Sequence, residues 1–145
     1  MADIHQTSFD ISFKHCDPAG IVFYPRFTEM LNDVVEHWFK YGLGCDFATL
    51  HGLRGLAIPT VRLEIDFKHP AFLGDTLVAS LSVLHVGTSS TRLRILFLSK
   101  DGAENLEAQL TIVFVGMGNK RPLEIPADLR IGIERFVSPL NAVND

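Results

Sequence analysis

The alternation of apolar and polar residues is clearest in residues 60–68, where every second side chain is apolar. This two-residue period is typical of a strand with one buried and one solvated face. Residues 7–13 alternate in the same way, and residues 76–86, 91–99 and 106–117 follow as further strands. Residues 76–86 and 91–99 are partly apolar on both faces, which predicts central positions in a sheet or at an interface.

One long segment, residues 26–41, instead repeats apolar residues every three to four positions. That period predicts an amphipathic helix, preceded by Pro25 and ended by Gly42. Shorter helical segments are predicted near residues 46–53, with Asp46 as the N-cap, and between residues 127 and 136. The predicted buried face of the long helix comprises Phe27, Met30, Leu31, Val34, Val35, Trp38 and Tyr41.

The predicted elements run in the order strand, long helix, then four strands joined by short turns. Short connections favour antiparallel pairing, and an amphipathic helix must bury its apolar face against a sheet. We therefore predict an α+β fold in which a long central helix is wrapped by a five-stranded antiparallel sheet. A chain of 145 residues suffices for a single domain, residues 1–145, but not for two comparable cores.

Composition and charge narrow the classes of partner. Thirteen Lys and Arg against 17 Asp and Glu give a net charge of −4, which argues against nucleic-acid binding because that requires a basic surface. No apolar run approaches the ~20 residues of a membrane span, and residues 1–7 lack the layout of a signal peptide. We expect a cytoplasmic protein without membrane association. The six histidines show no pair at metal-binding spacing, so no metal is expected.

The turn ahead of the long helix is the strongest candidate for chemistry. In the Asp-Pro-Ala-Gly sequence of residues 17–20, Asp suits the first turn position, Pro the second and Gly the fourth. A carboxylate then lies a few residues before a helix N-terminus, whose unpaired N–H groups and dipole can receive developing negative charge. This is half of an acyl-transfer site. His15 and Cys16 do not complete a local triad, because adjacent extended residues point to opposite sides.

Residues 17–25, Asp-Pro-Ala-Gly-Ile-Val-Phe-Tyr-Pro, resemble the signature of the 4-hydroxybenzoyl-CoA thioesterase family of hotdog-fold acyl-CoA thioesterases. The likeness continues through residues 58–61, the turn at residues 74–75 and residues 124–128. It implies the hotdog fold, edge-to-edge pairing of two subunits, and a homotetramer built from such dimers. It also implies a site at the subunit interface, formed by both chains.

The resemblance implies hydrolysis of an acyl-CoA thioester to a free acid and CoA. The family's catalytic carboxylate matches Asp17, and the amide that polarises the carbonyl matches the backbone N–H of Tyr24. Asp17 could attack the carbonyl and form a mixed anhydride, or act as general base toward water. Because a thiolate leaves readily, no cofactor is expected, and CoA is part of the substrate. Further substrate-binding candidates are His15, Pro18, Gly20, Phe23, Pro59 and Thr60.

The chain departs from that family where the CoA phosphates would bind. The hydroxybenzoyl-specific enzymes carry a basic cluster in the turn between the third and fourth strands, whereas residues 86–91 here are uncharged. Backbone and hydroxyl groups can still bind phosphate, and two arginines follow on one side of a strand. The departure leaves the acyl group, aromatic or aliphatic, undetermined. The phosphate-binding candidates are Thr88, Ser89, Ser90, Arg92 and Arg94.

Two other classes of function remain as alternatives. A hotdog dehydratase or hydratase would need a histidine paired with a carboxylate across the site, and His15 is the one histidine placed near the turn. A non-catalytic acyl-CoA-binding module would use the same pocket without turnover. The Asp-Pro-Ala-Gly turn matches the thioesterase pattern, which favours hydrolysis.

Overall fold

The computed structural model describes residues 2–138, so residue 1 and residues 139–145 of the predicted domain lie outside the described part. The strands are β1 (His5–Asp10), β2 (Leu56–Ala57), β3 (Thr60–Phe67), β4 (Thr76–Val86), β5 (Ser90–Ser99), β6 (Glu104–Val113) and β7 (Val115–Gly116). Five of them form one antiparallel sheet in the order β1-β4-β5-β6-β3, and β2 and β7 form a separate antiparallel pair. Strands β4 and β5 lie inside the sheet, as predicted.

Two α-helices accompany the sheet, α1 (Tyr24–His37) and α2 (Ala127–Glu134). The apolar side of α1 packs on the sheet, and the ring of Phe27 lies 5.8 Å from that of Phe97 in β5, centroid to centroid. The predicted α+β architecture is confirmed. No helix within residues 2–138 is long and apolar enough to cross a bilayer. The buried side of the long helical segment comprises Phe27, Met30, Leu31, Val34, Val35, Trp38 and Phe39.

The long helical segment ends differently from the prediction. After His37 the backbone continues as a π-helical turn, Trp38–Gly42. Tyr41, predicted to be buried, is 65% exposed, and Phe39 is buried instead. A π turn hydrogen-bonds five residues along rather than four, so it changes which side chains face the sheet.

The short second helix also has π geometry, Thr49–Leu53. Asp46 caps it as predicted, because its Oδ1 accepts a 2.8 Å hydrogen bond from the N–H of Thr49. Leu50 is buried, whereas Leu53 is exposed. Residues three apart diverge more in a π turn than in an α-helix, which separates these two leucines.

The first and last predicted strands, residues 7–13 and 106–117, end earlier in the structure than their alternation of apolar and polar residues predicts. β1 ends at Asp10, and Phe13, predicted to lie on its apolar face, is 84% exposed in the 3-10 turn Phe13–His15. The strand predicted at residues 106–117 is divided between β6 and β7. The division falls at Phe114, whose N–H donates to the carbonyl of Ser89 and so leaves the β6 ladder.

Strand β3 lies at an edge of the sheet and is hydrogen-bonded only to β6 within the described residues. Its apolar side contacts the core through Ile65. The other three apolar side chains on that side are largely exposed: Val61 by 61%, Leu63 by 41% and Phe67 by 51%. The alternation predicted for this strand is therefore present, but a single chain does not cover its apolar side.

Two histidines join β1 to the end of α1. Nε2 of His5 lies 2.7 Å from Nδ1 of His37, and the His37 ring packs against Tyr41 at 4.5 Å. His37 is therefore half-buried at the end of α1. Burial lowers the pKa of His5, and the neighbouring His37 lowers it further.

We expect this histidine pair to make stability depend on pH. In the unfolded chain the pKa of His5 is about 6.5, whereas in the folded state the pKa of His5 is lower. Between the folded pKa and the unfolded pKa, the unfolded state therefore binds more protons than the folded state does. The contribution of His5 to stability is complete above the unfolded pKa and is lost as the pH falls through the folded pKa. Thermal unfolding between pH 5 and 8 should show a smaller pH dependence in His5→Gln than in wild type. Identical pH profiles would contradict this prediction.

Candidate active site

The predicted turn at residues 17–20 is present. Gly20 N–H donates to the carbonyl of Asp17 at 2.9 Å, and Ala19 N–H donates to Oδ1 of Asp17, also at 2.9 Å. Gly20 has a φ of +80°, which strongly favours glycine over residues with a Cβ. One oxygen of the half-buried Asp17 carboxylate is therefore held by the turn, and Oδ2 accepts no hydrogen bond within residues 2–138.

The turn closes a small ladder that leads directly into α1. Asp17 N–H donates to the carbonyl of Ile21 at 3.0 Å, and Phe23 N–H donates to the carbonyl of His15 at 2.9 Å. Phe23 is the N-cap residue of α1 and has extended backbone angles. The ladder therefore fixes the carboxylate-bearing turn relative to the first residue of the helix, Tyr24.

A neighbouring segment supports this ladder from the other side. Val22 N–H donates to the carbonyl of Ala71 at 2.9 Å, and Leu73 N–H donates to the carbonyl of Gly20 at 3.0 Å. Asp75 stabilises that segment, because its Oδ2 accepts a 2.8 Å hydrogen bond from the N–H of Phe72. Backbone hydrogen bonds therefore hold the turn on both sides, within the ladder on one side and to residues 71–73 on the other.

The N-terminus of α1 offers an unpaired donor. Phe23 provides no side-chain cap, Pro25 has no N–H, and Arg26 N–H donates to the carbonyl of Phe23 at 2.8 Å. The N–H of Tyr24 finds no acceptor among residues 2–138. Such a group lies at the positive end of the helix dipole and can stabilise an oxyanion.

A cavity of about 610 Å³ lies along α1. Pro59 and Thr60 line it, whereas Asp17, Pro18, Gly20 and Phe23 do not. Its walls are largely apolar, with a few polar groups that our sequence reasoning missed. These are Thr28, Asn32, His51 and Lys120.

The helix spacing carries a signal for part of this cavity. Thr28, Leu31, Asn32 and Val35 occur at positions i, i+3, i+4 and i+7, and all four line the cavity. This face adjoins the buried one and mixes polar with apolar residues. The polar residues Thr28 and Asn32, which lie beside the apolar face of α1 at helical spacing, were therefore the sequence evidence for a binding face on this helix.

The imidazole of His15 lies in a different place. It lines a charged cavity of about 370 Å³ together with Arg26, Glu29 and Asp33. Its Nδ1 accepts a 2.9 Å hydrogen bond from the N–H of Ser12. Burial, followed by the nearby cations Lys14 and Arg26, lowers the pKa of His15 and favours its neutral form. The backbone of His15 supports the ladder, while its side chain does not line the larger cavity.

Thr88 and Ser89 lie in the tight turn between β4 and β5, and the other candidate phosphate-binding residues, Ser90, Arg92 and Arg94, lie in β5. Gly87 N–H donates to the carbonyl of Ser90 at 2.8 Å, and Nη2 of Arg130 donates to the carbonyls of Gly87 and Thr88 at 2.7 and 3.1 Å. Arg130 therefore places a positive charge beside this turn, which our sequence reasoning missed. Arg94 forms an ion pair with Glu107 at 2.9 Å.

This turn and the larger cavity share one corner of the sheet. Ser90 pairs with Val113 of β6, and Val113 N–H donates to the carbonyl of Pro59 at 3.1 Å. Neighbouring strands are about 4.8 Å apart, so the turn and the cavity wall are separated by roughly 10 Å. Pro59 and Thr60 therefore lie near the candidate phosphate turn, whereas the other predicted substrate-binding residues do not line this cavity.

A helix packed against a five-stranded antiparallel sheet, with a carboxylate turn ahead of the helix N-terminus, is the arrangement typical of the hotdog thioesterase class. The family model of the thioesterase-like superfamily matches residues 11–133. The chain therefore belongs to the thioesterase-like superfamily. This confirms the predicted hotdog fold and the predicted enzyme class, a thioester hydrolase.

Individual relatives agree with this assignment. A 1,4-dihydroxy-2-naphthoyl-CoA hydrolase from Acaryochloris marina is 26% identical over 128 residues, which cover 87% of this chain and 93% of that protein. A 1,4-dihydroxy-2-naphthoyl-CoA thioesterase from Synechocystis has a similar structure, with a TM-score of 0.82, 19% identity, and coverage of 90% of this chain and 96% of that one. A Staphylococcus aureus protein in complex with CoA gives a TM-score of 0.85 at 14% identity, covering 94% and 85% of the two chains.

These findings establish the superfamily rather than the 4-hydroxybenzoyl-CoA thioesterase family that the opening motif resembles. The curated relative acts on a dihydroxynaphthoyl thioester.

Proposed function

We propose that this chain is an acyl-CoA thioesterase that hydrolyses its substrate to a free acid and CoA. The observation that carries the proposal is the unpaired N–H of Tyr24, which follows directly on the rigid ladder that holds Asp17. One group supplies a nucleophile or base, and the other supplies an oxyanion donor. The names of the curated relatives support the same reaction.

In the nucleophilic route, the free oxygen of Asp17 attacks the thioester carbonyl. The Tyr24 N–H stabilises the oxyanion, which collapses with cleavage of the C–S bond and departure of the CoA thiolate. Water then hydrolyses the mixed anhydride, giving the acid and restoring Asp17. In the general-base route, Asp17 takes a proton from water as that water attacks the same carbonyl. Both routes require an ionised Asp17.

The larger cavity favours a hydroxylated aromatic acyl group. Its apolar side chains, such as Leu31, Val35 and Phe47, can pack on an aromatic ring. Asn32 and His51 supply groups able to hydrogen-bond ring hydroxyls. Hydroxybenzoyl and dihydroxynaphthoyl thioesters share this chemistry, so both belong in the class of proposed substrates.

The uncovered side of β3 supports a homodimer. Its exposed apolar residues and its free edge would both be satisfied by a second copy of the same strand, related by a two-fold axis. The exposed ring of Tyr24 contacts Phe67 at 6.2 Å, so the start of α1 adjoins this seam. A site completed by two subunits follows, and pairs of dimers would form the proposed tetramer.

The reaction needs no cofactor beyond the CoA of the substrate. Among residues 2–138, no three His, Cys, Asp or Glu side chains are grouped so that they could hold a metal ion. The proposed chemistry relies on a carboxylate, a backbone amide and a good leaving group. A cytoplasmic enzyme acting on acyl-CoA, without nucleic-acid or membrane partners, remains our expectation from the sequence.

An acyl-CoA hydrolysis panel tests the proposal. Release of free CoA would be followed with a thiol-reactive dye for hydroxybenzoyl, dihydroxynaphthoyl, benzoyl and medium-chain aliphatic thioesters. We expect turnover, with kcat/KM highest for the hydroxylated aromatic substrates. Saturable binding without thiol release across the panel would favour the non-catalytic module, and formation of an enoyl product from a 3-hydroxyacyl-CoA would favour the dehydratase.

A further inference from the structure

The hydrogen bonds of His15 fix the protonation state of its imidazole. The N–H of Ser12 donates to Nδ1 of His15 at 2.9 Å, and a backbone N–H can only donate. Nδ1 therefore carries no proton, so the ring is the neutral tautomer with its hydrogen on Nε2. The hydroxyl of Ser12 lies 3.2 Å from the same nitrogen and can donate to it as well. The imidazolium form, in which both ring nitrogens carry hydrogen, could not accept these bonds.

The imidazole closes a reciprocal pair of hydrogen bonds around the 3-10 turn Phe13–His15. While Nδ1 accepts from the N–H of Ser12, the N–H of His15 donates to the carbonyl of Ser12 at 3.0 Å. No residue of this turn is buried, so apolar packing does not hold its shape. Its conformation therefore depends on hydrogen bonds, and the imidazole accepts one of them.

The 3-10 turn connects two fixed parts of the molecule. Before it, Ile11 is buried, and its N–H and its carbonyl are both hydrogen-bonded to residues 74–75. After it, the carbonyl of His15 accepts from the N–H of Phe23, the N-cap residue of α1, at 2.9 Å. His15 thus links the end of the sheet to the start of the helix, and Asp17 follows two residues later.

The charged groups that face the imidazole come from the 3-10 turn and from α1. Those that line the cavity of about 370 Å³ with it are Lys14, Arg26, Glu29 and Asp33, and Arg26 is paired with Glu29 at 2.9 Å. Burial lowers the pKa of His15 most, the two cations lower it further, and the two carboxylates oppose them. The ring therefore stays neutral until the pH falls below about 6.5.

We propose that His15 is a positioning residue for the hydrolysis, because its neutral imidazole, bonded to Ser12, holds the backbone that carries Asp17 relative to the N–H of Tyr24. The inference rests on the proposed function, since it takes Asp17 and Tyr24 as the reacting pair. Protonation turns Nδ1 from an acceptor into a donor that faces the Ser12 N–H, so the 3-10 turn is released. Acid then lowers turnover through His15 in addition to protonating Asp17. The imidazole does not line the larger cavity, so its effect should appear in kcat rather than in KM.

The pH profiles of kcat for three substitutions of His15 test the proposal. His15→Asn places an amide oxygen on Cγ, where Nδ1 stands in histidine, whereas His15→Gln places its oxygen one atom further out, and neither side chain titrates. We expect His15→Asn to retain most of the wild-type kcat at about pH 7.5 and to lose the additional ionisation on the acid side. His15→Gln and His15→Ala should lower kcat roughly fivefold at that pH with little change in KM, because one hydrogen bond to the 3-10 turn is lost.

A second measurement follows the imidazole without turnover. In nitrogen-15 NMR of the histidine-labelled wild type, we expect a proton on Nε2 and none on Nδ1 at neutral pH. The amide of Phe23 should lose protection from hydrogen exchange as His15 becomes protonated. His85→Gln is the matched control, because His85 is an exposed histidine of β4 outside both cavities, and this variant should keep the wild-type pH profile.

Three results would each overturn the proposal: a proton on Nδ1 at neutral pH, equal losses of kcat in His15→Asn and His15→Gln, or an acid limb that His15→Asn leaves unchanged. Constant protection of the Phe23 amide throughout the titration would overturn it whether or not the chain hydrolyses any thioester. A silent hydrolysis panel with the expected NMR titration would reject the enzymatic proposal alone, since the release of the 3-10 turn is observed there without substrate.

Discussion

Replacing Asp17 with asparagine is expected to lower kcat for acyl-CoA hydrolysis by about 10³-fold or more. The variant removes the negative charge that attacks the thioester or activates water, and general acid–base or nucleophilic groups contribute effects of this order. Asparagine keeps a side-chain oxygen that can accept the hydrogen bond from Ala19 N–H. The turn should therefore survive, and the loss would report on chemistry rather than on folding.

The measurement is thiol release from the best substrate of the panel, with circular dichroism and melting temperature as checks on the fold. Asp10→Asn is a suitable control, because its carboxylate accepts from the Thr76 hydroxyl near the sheet end and has no proposed role. Retention of most activity by Asp17→Asn would reject the assigned role. Turnover in ¹⁸O-labelled water distinguishes the two routes, since only the anhydride route can leave label in the Asp17 side chain.

Replacing Leu63 with arginine is expected to dissociate the proposed dimer and abolish most activity with it. The side chain lies on the uncovered apolar side of β3, and an unpaired charge buried in such a seam costs about 3 kcal/mol or more. That corresponds to a rise in the dimer dissociation constant of roughly 100-fold. The isolated chain should lose little stability, because this position is already partly exposed in the monomer.

Light scattering coupled to size-exclusion chromatography measures the assembly, and the hydrolysis assay measures its consequence. Leu53→Arg makes the same chemical change at a residue that is 89% exposed on the short second helix, and it should alter neither quantity. A Leu63→Arg protein that remains dimeric would show that the two copies meet elsewhere. A fully active monomer would show that one chain completes the site.

The sequence predicted those features that arise from local chemistry. The turn at residues 17–20 needs only its own residues, and its two hydrogen bonds are present. The buried face of the long helical segment follows from three-and-four spacing and was predicted correctly from Phe27 to Trp38. The alternation of β3 was also read correctly, because a strand shows its two sides in its own sequence.

What the sequence did not predict depends on contacts between distant segments. Tyr41 and Phe39 exchange places because a π turn follows α1, and no pattern in the sequence indicated that turn. Arg130 reaches the carbonyls of residues 87 and 88 from another helix. His51 of the short second helix and Lys120 of a loop line the same cavity, and periodicity within one element cannot show such convergence.

The segment that supports the turn of Asp17 also connects it to the proposed seam. β3 ends at Phe67, and after a short bend the same stretch of chain pairs, at residues 71–73, with Gly20 and Val22. Residues 68–70 alone therefore separate the end of the edge strand from the segment that is hydrogen-bonded to the turn of Asp17. Dimerisation at β3 would then be coupled to catalysis, because a displacement of this strand would be passed to the turn of Asp17 through residues 68–70.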